Sequence, residues 1–125
     1  MNILLIAPGK APENREIDGE LKTMQDIVGG TIQAIFPFDD SVALICNDDG
    51  KLLNLPPNRA LYDEDGALCD IVVGTFFLCD APPDSENFAS LSDKQIAQYT
   101  ERFASPEQFL LLGGHIVVVE ERAVK

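Results

Sequence analysis

The sequence predicts a single α+β domain over residues 1–125, an antiparallel or mixed sheet of about five to six strands with two main helices packed on one side. Three observations lead there. Short apolar, β-prone runs bounded by Gly, Pro or Asp-Gly recur along the chain. Only two segments, 19–28 and 90–103, place apolar residues at clear helical spacing. No linker or low-complexity stretch divides the 125 residues, and a chain of this size buries about two-thirds of its unfolded surface without disulfides or metal.

The elements follow in order. NILLIA (2–7) reads as a buried strand stopped by Pro8-Gly9, followed by a loop over 7–14. Glu16-Ile17 open a short extended stretch. Leu21, Met24, Ile27 and Val28 form an apolar stripe on a helix over 19–28, with Asp18 as N-cap and Gly29 as the stop. GTIQAIF (30–36) sets Ile32, Ala34 and Phe36 against Thr31, Gln33 and Ile35, the alternation of a half-buried strand ended by Pro37. SVALICN (41–47) is another strand. Asp48-Asp49-Gly50-Lys51 then make a tight turn that returns as a hairpin into 51–53.

Residues 53–66 are the most irregular. Pro56-Pro57 exclude a central strand, and NRALY reads as one helical turn capped by Asn58. The Asp65-Gly66 turn leads into ALCDIVVGTFFLCD (67–80). That run is apolar on both faces and belongs in the middle of a sheet, with Gly74 marking a bulge or a close backbone approach. A loop covers 81–90. Ser92 with Gln95 three residues on is a capping box, opening a helix whose Ile96, Tyr99 and Phe103 share one face. SPEQFLLLGG fits a short helix or a strand equally. HIVVVEER (115–122) is a closing strand, and as an edge it offers pairing to a second chain.

Charge narrows the function. Twenty-one acids against nine bases give −12, the wrong sign for holding DNA, RNA or anionic lipid directly. No apolar run approaches the roughly 20 residues that span a bilayer, and no basic segment precedes an apolar one at the N-terminus. These features predict a cytoplasmic protein with no membrane contact. An odd cysteine count fits a reducing compartment. Cys46, Cys69 and Cys79 all lie in apolar runs and read as small buried hydrophobes.

The chemical motifs fail one by one. Gly9-Lys10 resembles a phosphate loop, but Leu4 and Ala11 occupy the positions that need Gly and Ser or Thr. Centring a calcium loop on Gly50 or Gly66 puts Ile45 or Leu61 first and Pro56 or Val72 last, none of them a side-chain oxygen ligand. The single histidine, His115, and the scattered cysteines lack zinc spacing. No GxSxG elbow supports His115 as a catalytic base. No catalytic residue, metal ligand or cofactor is expected.

The most informative polar cluster is Asn58-Arg59 beside Tyr62, Asp63 and Asp65. It is either an Arg–carboxylate pair pinning a loop or a contact to a ligand or partner. With Asn47 and Thr75 added, the candidate binding set is Asn47, Asn58, Arg59, Asp63, Asp65 and Thr75.

The strings VALICNDDGK, LPPNRAL and GTFF, within a similarity running over about residues 1–103, resemble domain-of-unknown-function family 3846. The family supplies no catalytic residues. The resemblance implies a small protein of phages and conjugative elements of Gram-positive gut bacteria. The expected role is then a non-enzymatic accessory protein that binds a host or element-encoded protein, one form of it an acidic inhibitor whose carboxylates stand in for phosphates against a nucleic-acid-handling or defence target. Alternatives are a binder of a small nucleotide-like signal and an uncharacterised enzyme. Either a monomer or a homodimer fits.

Overall fold

The computed structural model describes residues 1–121; residue 122, the last of the predicted closing strand, lies outside the described residues. Strand β1 (Asn2–Ile6) shows why there are two cores. Ile3 and Leu5 enter one apolar cluster, Leu4 and Ile6 another, because successive side chains of a strand leave on opposite faces. β1 belongs to a five-stranded sheet with β2 (Glu13–Glu16), β3 (Ile32–Ile35), β4 (Val42–Asn47) and β7 (Phe76–Asp80), in the order β2-β1-β7-β4-β3 and antiparallel throughout. β4 and β7 are covered on both faces, which is why VALIC and FFLC are continuously apolar.

The two helices lie on opposite faces of this sheet, not on one side as the sequence reading has it. Helix α1 (Leu21–Val28) buries Met24 and Val28 against Ile3, Leu5, Ala43, Ile45 and Phe77. Helix α2 (Asp93–Arg102) sends Tyr99, followed by Phe103, into the cluster of Leu4, Ile6, Leu44, Phe76 and Leu78. With apolar side chains on both strand faces, each face needs its own cover. Gly29 ends α1 in the left-handed conformation, φ 82°. The N-cap of α1 is Glu20 rather than Asp18. Asp18 acts from two residues earlier, its carboxylate accepting from the Glu20 N–H and the Thr23 hydroxyl, both at 2.9 Å. The predicted capping box of α2 is formed by Ser92 and Gln95.

The middle of the chain departs most from expectation. Residues 51–53 do not return as a strand; the chain winds through successive turns, and Leu52 is 84% exposed. Residues of the expected helical turn instead form strand β5 (Pro57–Tyr62), paired with β6 (Leu68–Val73). Pro57 takes the first strand position, where its missing N–H disrupts little. This second sheet covers the same face as α2 through Leu61 and Val72. The run 67–80 is therefore two strands in two sheets, and only β7 is central.

The break falls at Gly74, with φ +74° and its N–H donating to the Pro56 carbonyl at 2.7 Å. An added Cβ would stand 2.8 Å from Leu55 Cδ1. Gly74→Ala is expected to lower stability by about 2 kcal/mol, combining left-handed strain and crowding. A shift of the urea midpoint at unchanged slope would show it.

The ambiguous segment after α2 is strand β8 (Glu107–Leu112), which pairs with β9 (His115–Glu120) as a two-stranded sheet. Gly113 and Gly114, both at positive φ, make the two-residue turn.

Candidate functional site

The six residues singled out from sequence do not form one site. Asn58 and Arg59 come together, fully buried at the start of β5. Asn58 Nδ2 donates to the carbonyls of Ile6 (2.9 Å) and Gly74 (2.8 Å), and its Oδ1 accepts from Arg59 Nη1 (2.8 Å). Arg59 Nη2 donates to the Lys10 carbonyl (2.6 Å) and, with Nε, to the Phe103 carbonyl (3.1 and 3.3 Å). The expected carboxylate pair is thus replaced by backbone carbonyls: among the described residues, Arg59 makes no salt bridge. This node ties β5 to β1, to the bend at Gly74, to the loop after β1 and to the end of α2.

Asn47 lies elsewhere. Its Nδ2 donates to the Val28 carbonyl at 3.1 Å and its Oδ1 accepts from the Asp49 N–H at 2.8 Å, joining the end of α1 to the turn after β4. It lines a cleft of about 290 Å³ between β4, that turn and β6, where Lys51 and Asp70 pair at 2.6 Å. Asp63 and Asp65 sit on the exposed β5–β6 turn, and the Asp63 carboxylate accepts from the N–H groups of Asp65 and Ala67, both at 2.9 Å. Thr75 lines a shallow pocket with Thr23 and Ile27 of α1, on the far side of the sheet from α2.

The thiols divide too. Cys46 and Cys79 are buried, while Cys69 is exposed on β6, contrary to the expectation of three buried hydrophobes. Burial raises the Cys46 thiol above its ordinary value, and burial beside Asp80 pushes Cys79 up to about 12, so both stay protonated at neutral pH. Among the described residues no group of His, Cys, Asp and Glu is placed to hold a metal ion, and no helix is long and apolar enough to cross a membrane.

The sequence reading offers the closing strand as a pairing edge but misses the exposed apolar surface of the β8–β9 hairpin. Leu110, Leu111, Leu112, Ile116, Val117 and Val119 are all exposed, Leu111 at 73%. Ile116 leans toward the outer face of β6, and with Pro57, Leu68, Cys69, Ile71 and Val73 it borders an apolar groove of about 470 Å³. At the base of the hairpin, Glu107 Oε1 accepts from the Ala60 N–H at 2.7 Å. Burial raises the Glu107 carboxyl above its ordinary value, against the lowering effects of that bond and of Arg59.

A raised acid binds more protons folded than unfolded. The stability tied to Glu107 is therefore full below its ordinary value near 4.5 and is lost as pH rises through the folded value. Glu107→Gln keeps an acceptor for Ala60 and removes the titration. It is expected to flatten the loss of stability between pH 4 and 7, read as thermal midpoints against pH on both proteins; parallel curves would contradict it.

A family model described as a domain of unknown function, DUF3846, matches residues 1–104. The match covers the five-stranded sheet, both helices and the Asn58–Arg59 node, and stops before β8. No curated protein and no solved structure matches the chain. On that match the chain belongs to the DUF3846 family.

Proposed function

We propose that the chain is a non-enzymatic accessory protein that acts by binding another protein, with the β8–β9 hairpin as its binding element. The observation that carries this reading is the hairpin's exposed surface. Six large apolar side chains stand in water on one small two-stranded sheet, on a chain whose net charge is −12. The register sets Leu110, Leu112, Val117 and Val119 on one face and Leu111 and Ile116 on the other, and exposed apolar surface marks interaction sites in soluble domains. The polar residues singled out for binding serve other ends: Asn58 and Arg59 spend their hydrogen bonds inside the fold. The acids are scattered: Glu13 and Glu16 lie on β2, Asp26 on α1, Asp48, Asp49, Asp63, Glu64 and Asp65 in the segments after β4 and β5, and Asp93 and Glu101 on α2, so they gather on no single element. That distribution favours an apolar contact over a phosphate-like face. The mobile-element setting implied by the family resemblance makes a host or element-encoded protein the natural target.

The test is capture from host lysate on the immobilised chain, eluted by a salt gradient, beside a variant carrying Leu110→Asp and Leu112→Asp. A partner that resists salt and is lost with the variant is the expected result, since apolar contacts are not screened. Equal capture by both chains would refute the reading.

A further inference from the structure

We propose that the free edge of β9 pairs with β9 of a second copy of this chain, antiparallel, with Val118 on the two-fold axis. The inference rests on the hairpin being a protein-binding element and names the partner.

The first ground is the edge itself. β8 and β9 pair in unbroken register, and among the described residues β9 has no other strand beside it. Glu121 N–H donates to the Pro106 carbonyl, which fixes the alternation of the ladder. Val119, Val117 and His115 therefore turn their backbone groups toward β8. Ile116, Val118 and Glu120 turn theirs outward. Soluble proteins guard such edges with lysine, proline, a bulge or a covering segment. Residues 115–120, HIVVVE, contain no lysine and no proline, and their pairing has no bulge.

The second ground is charge. Two chains of net charge −12 repel one another over most of their surfaces. Residues 108–119 contain no Asp, Glu, Lys or Arg. The hairpin is thus a surface that a second copy can approach without opposing carboxylates.

The third ground is register. Outward-pointing residues must pair with outward-pointing residues, so the two-fold axis falls on one of them or midway between two of them. With Val118 on the axis, Ile116 faces Glu120 of the second copy, and their backbone groups bond on both sides of the axis. On the other face of the new sheet Val117 meets Val119, and His115 meets Glu121. The imidazole can donate to that carboxylate at both ends. Shifting the axis to Val117 places Glu120 against Gly114 and loses the His–Glu contact. The result is a four-stranded sheet, β8-β9-β9-β8, in which both central strands are fully paired.

The experiment uses the purified full chain alone. Sedimentation equilibrium is expected to show a dimer at tens of micromolar, and Val118→Pro is expected to weaken it at least tenfold. The Val118 N–H points away from β8, so this substitution removes an intermolecular donor and leaves the hairpin's own bonds. Should Val118→Pro disturb folding, cysteine cross-linking in a Cys69→Ser background decides. Like residues on the axis lie about 5.5 Å apart between Cα atoms, within disulfide reach, whereas those one position away exceed the limit of about 7 Å. Val118→Cys is expected to oxidise to a dimer, and Val117→Cys and Val119→Cys are not. A chain that stays monomeric at 100 micromolar would overturn the proposal, as would cross-linking favoured at 117 or 119. Either failure leaves the hairpin free to hold a different protein; that broader reading fails separately, on equal capture by the Leu110→Asp, Leu112→Asp variant.

Discussion

Replacing Arg59 by alanine is expected to cost about 3–5 kcal/mol, a large part of the stability of a domain this size. Arg59 is 1% exposed. It bonds the carbonyls of Lys10 and Phe103 and the side chain of Asn58. Removing it leaves buried acceptors facing an empty space, and both the lost bonds and the cavity count against the fold. Burial lowers its pKa from the ordinary arginine value, while Glu107 and Glu121 oppose that shift. The group stays charged, and its field is one of the influences holding Glu107 down. Arg59→Ala should therefore also raise the Glu107 carboxyl further and steepen the loss of stability as pH rises above 4.5. Arg59→Lys should recover only part of the deficit, because one ammonium cannot reproduce a planar fork that reaches two chain segments at once. Urea unfolding of the three proteins at pH 5 and pH 8 gives all of these quantities. A loss below about 1 kcal/mol for Arg59→Ala would show that the node is not an anchor.

The reach of sequence reasoning follows from this node. Local signals were legible where the cause was local. Ser92 and Gln95 satisfy each other within one turn, and Gly29 sits where only a left-handed residue closes α1. Gly74 was legible as a close approach, though not as the border between two sheets. The segment 57–62 misled because its strand character comes from β6, its partner in space, and Pro57 disguised it. Arg59 was marked by its scarcity in an acidic chain. Its partners were hidden, since backbone carbonyls 44 and 49 residues away leave no trace in residue type. The hairpin was hidden for the opposite reason. FLLL and IVVV look like core, and the sequence cannot show that no layer of the described chain covers them. Which face of a sheet a helix covers is not written in the helix's own residues, and both helices share one side in the sequence reading. The two-sided burial of β4 and β7 decides otherwise.

Asn58→Ala is expected to be nearly as damaging as loss of Arg59, at about 3–4 kcal/mol, for a different reason. The Asn58 amide is small, and little packing is lost with it. Its Nδ2 satisfies the carbonyl at the end of β1 and the carbonyl of Gly74 where the chain crosses between sheets. No other side-chain donor among the described residues reaches either of them, and both are shut away from water. The two residues also share a bond, from Arg59 Nη1 to Asn58 Oδ1 at 2.8 Å. Their effects must then be non-additive: once either is gone, the other has already lost a partner. A double-mutant cycle over Asn58→Ala and Arg59→Ala should give a coupling of about 1–2 kcal/mol, the range for a buried charge-assisted hydrogen bond. Additive losses would mean that the two side chains anchor β5 independently, Asn58 to the main sheet and Arg59 to the end of α2. Strong coupling would make them one polar core element. In that case Gly74→Ala, which moves a carbonyl that Asn58 holds, should couple to Asn58→Ala and, through the shared bond, to Arg59→Ala as well.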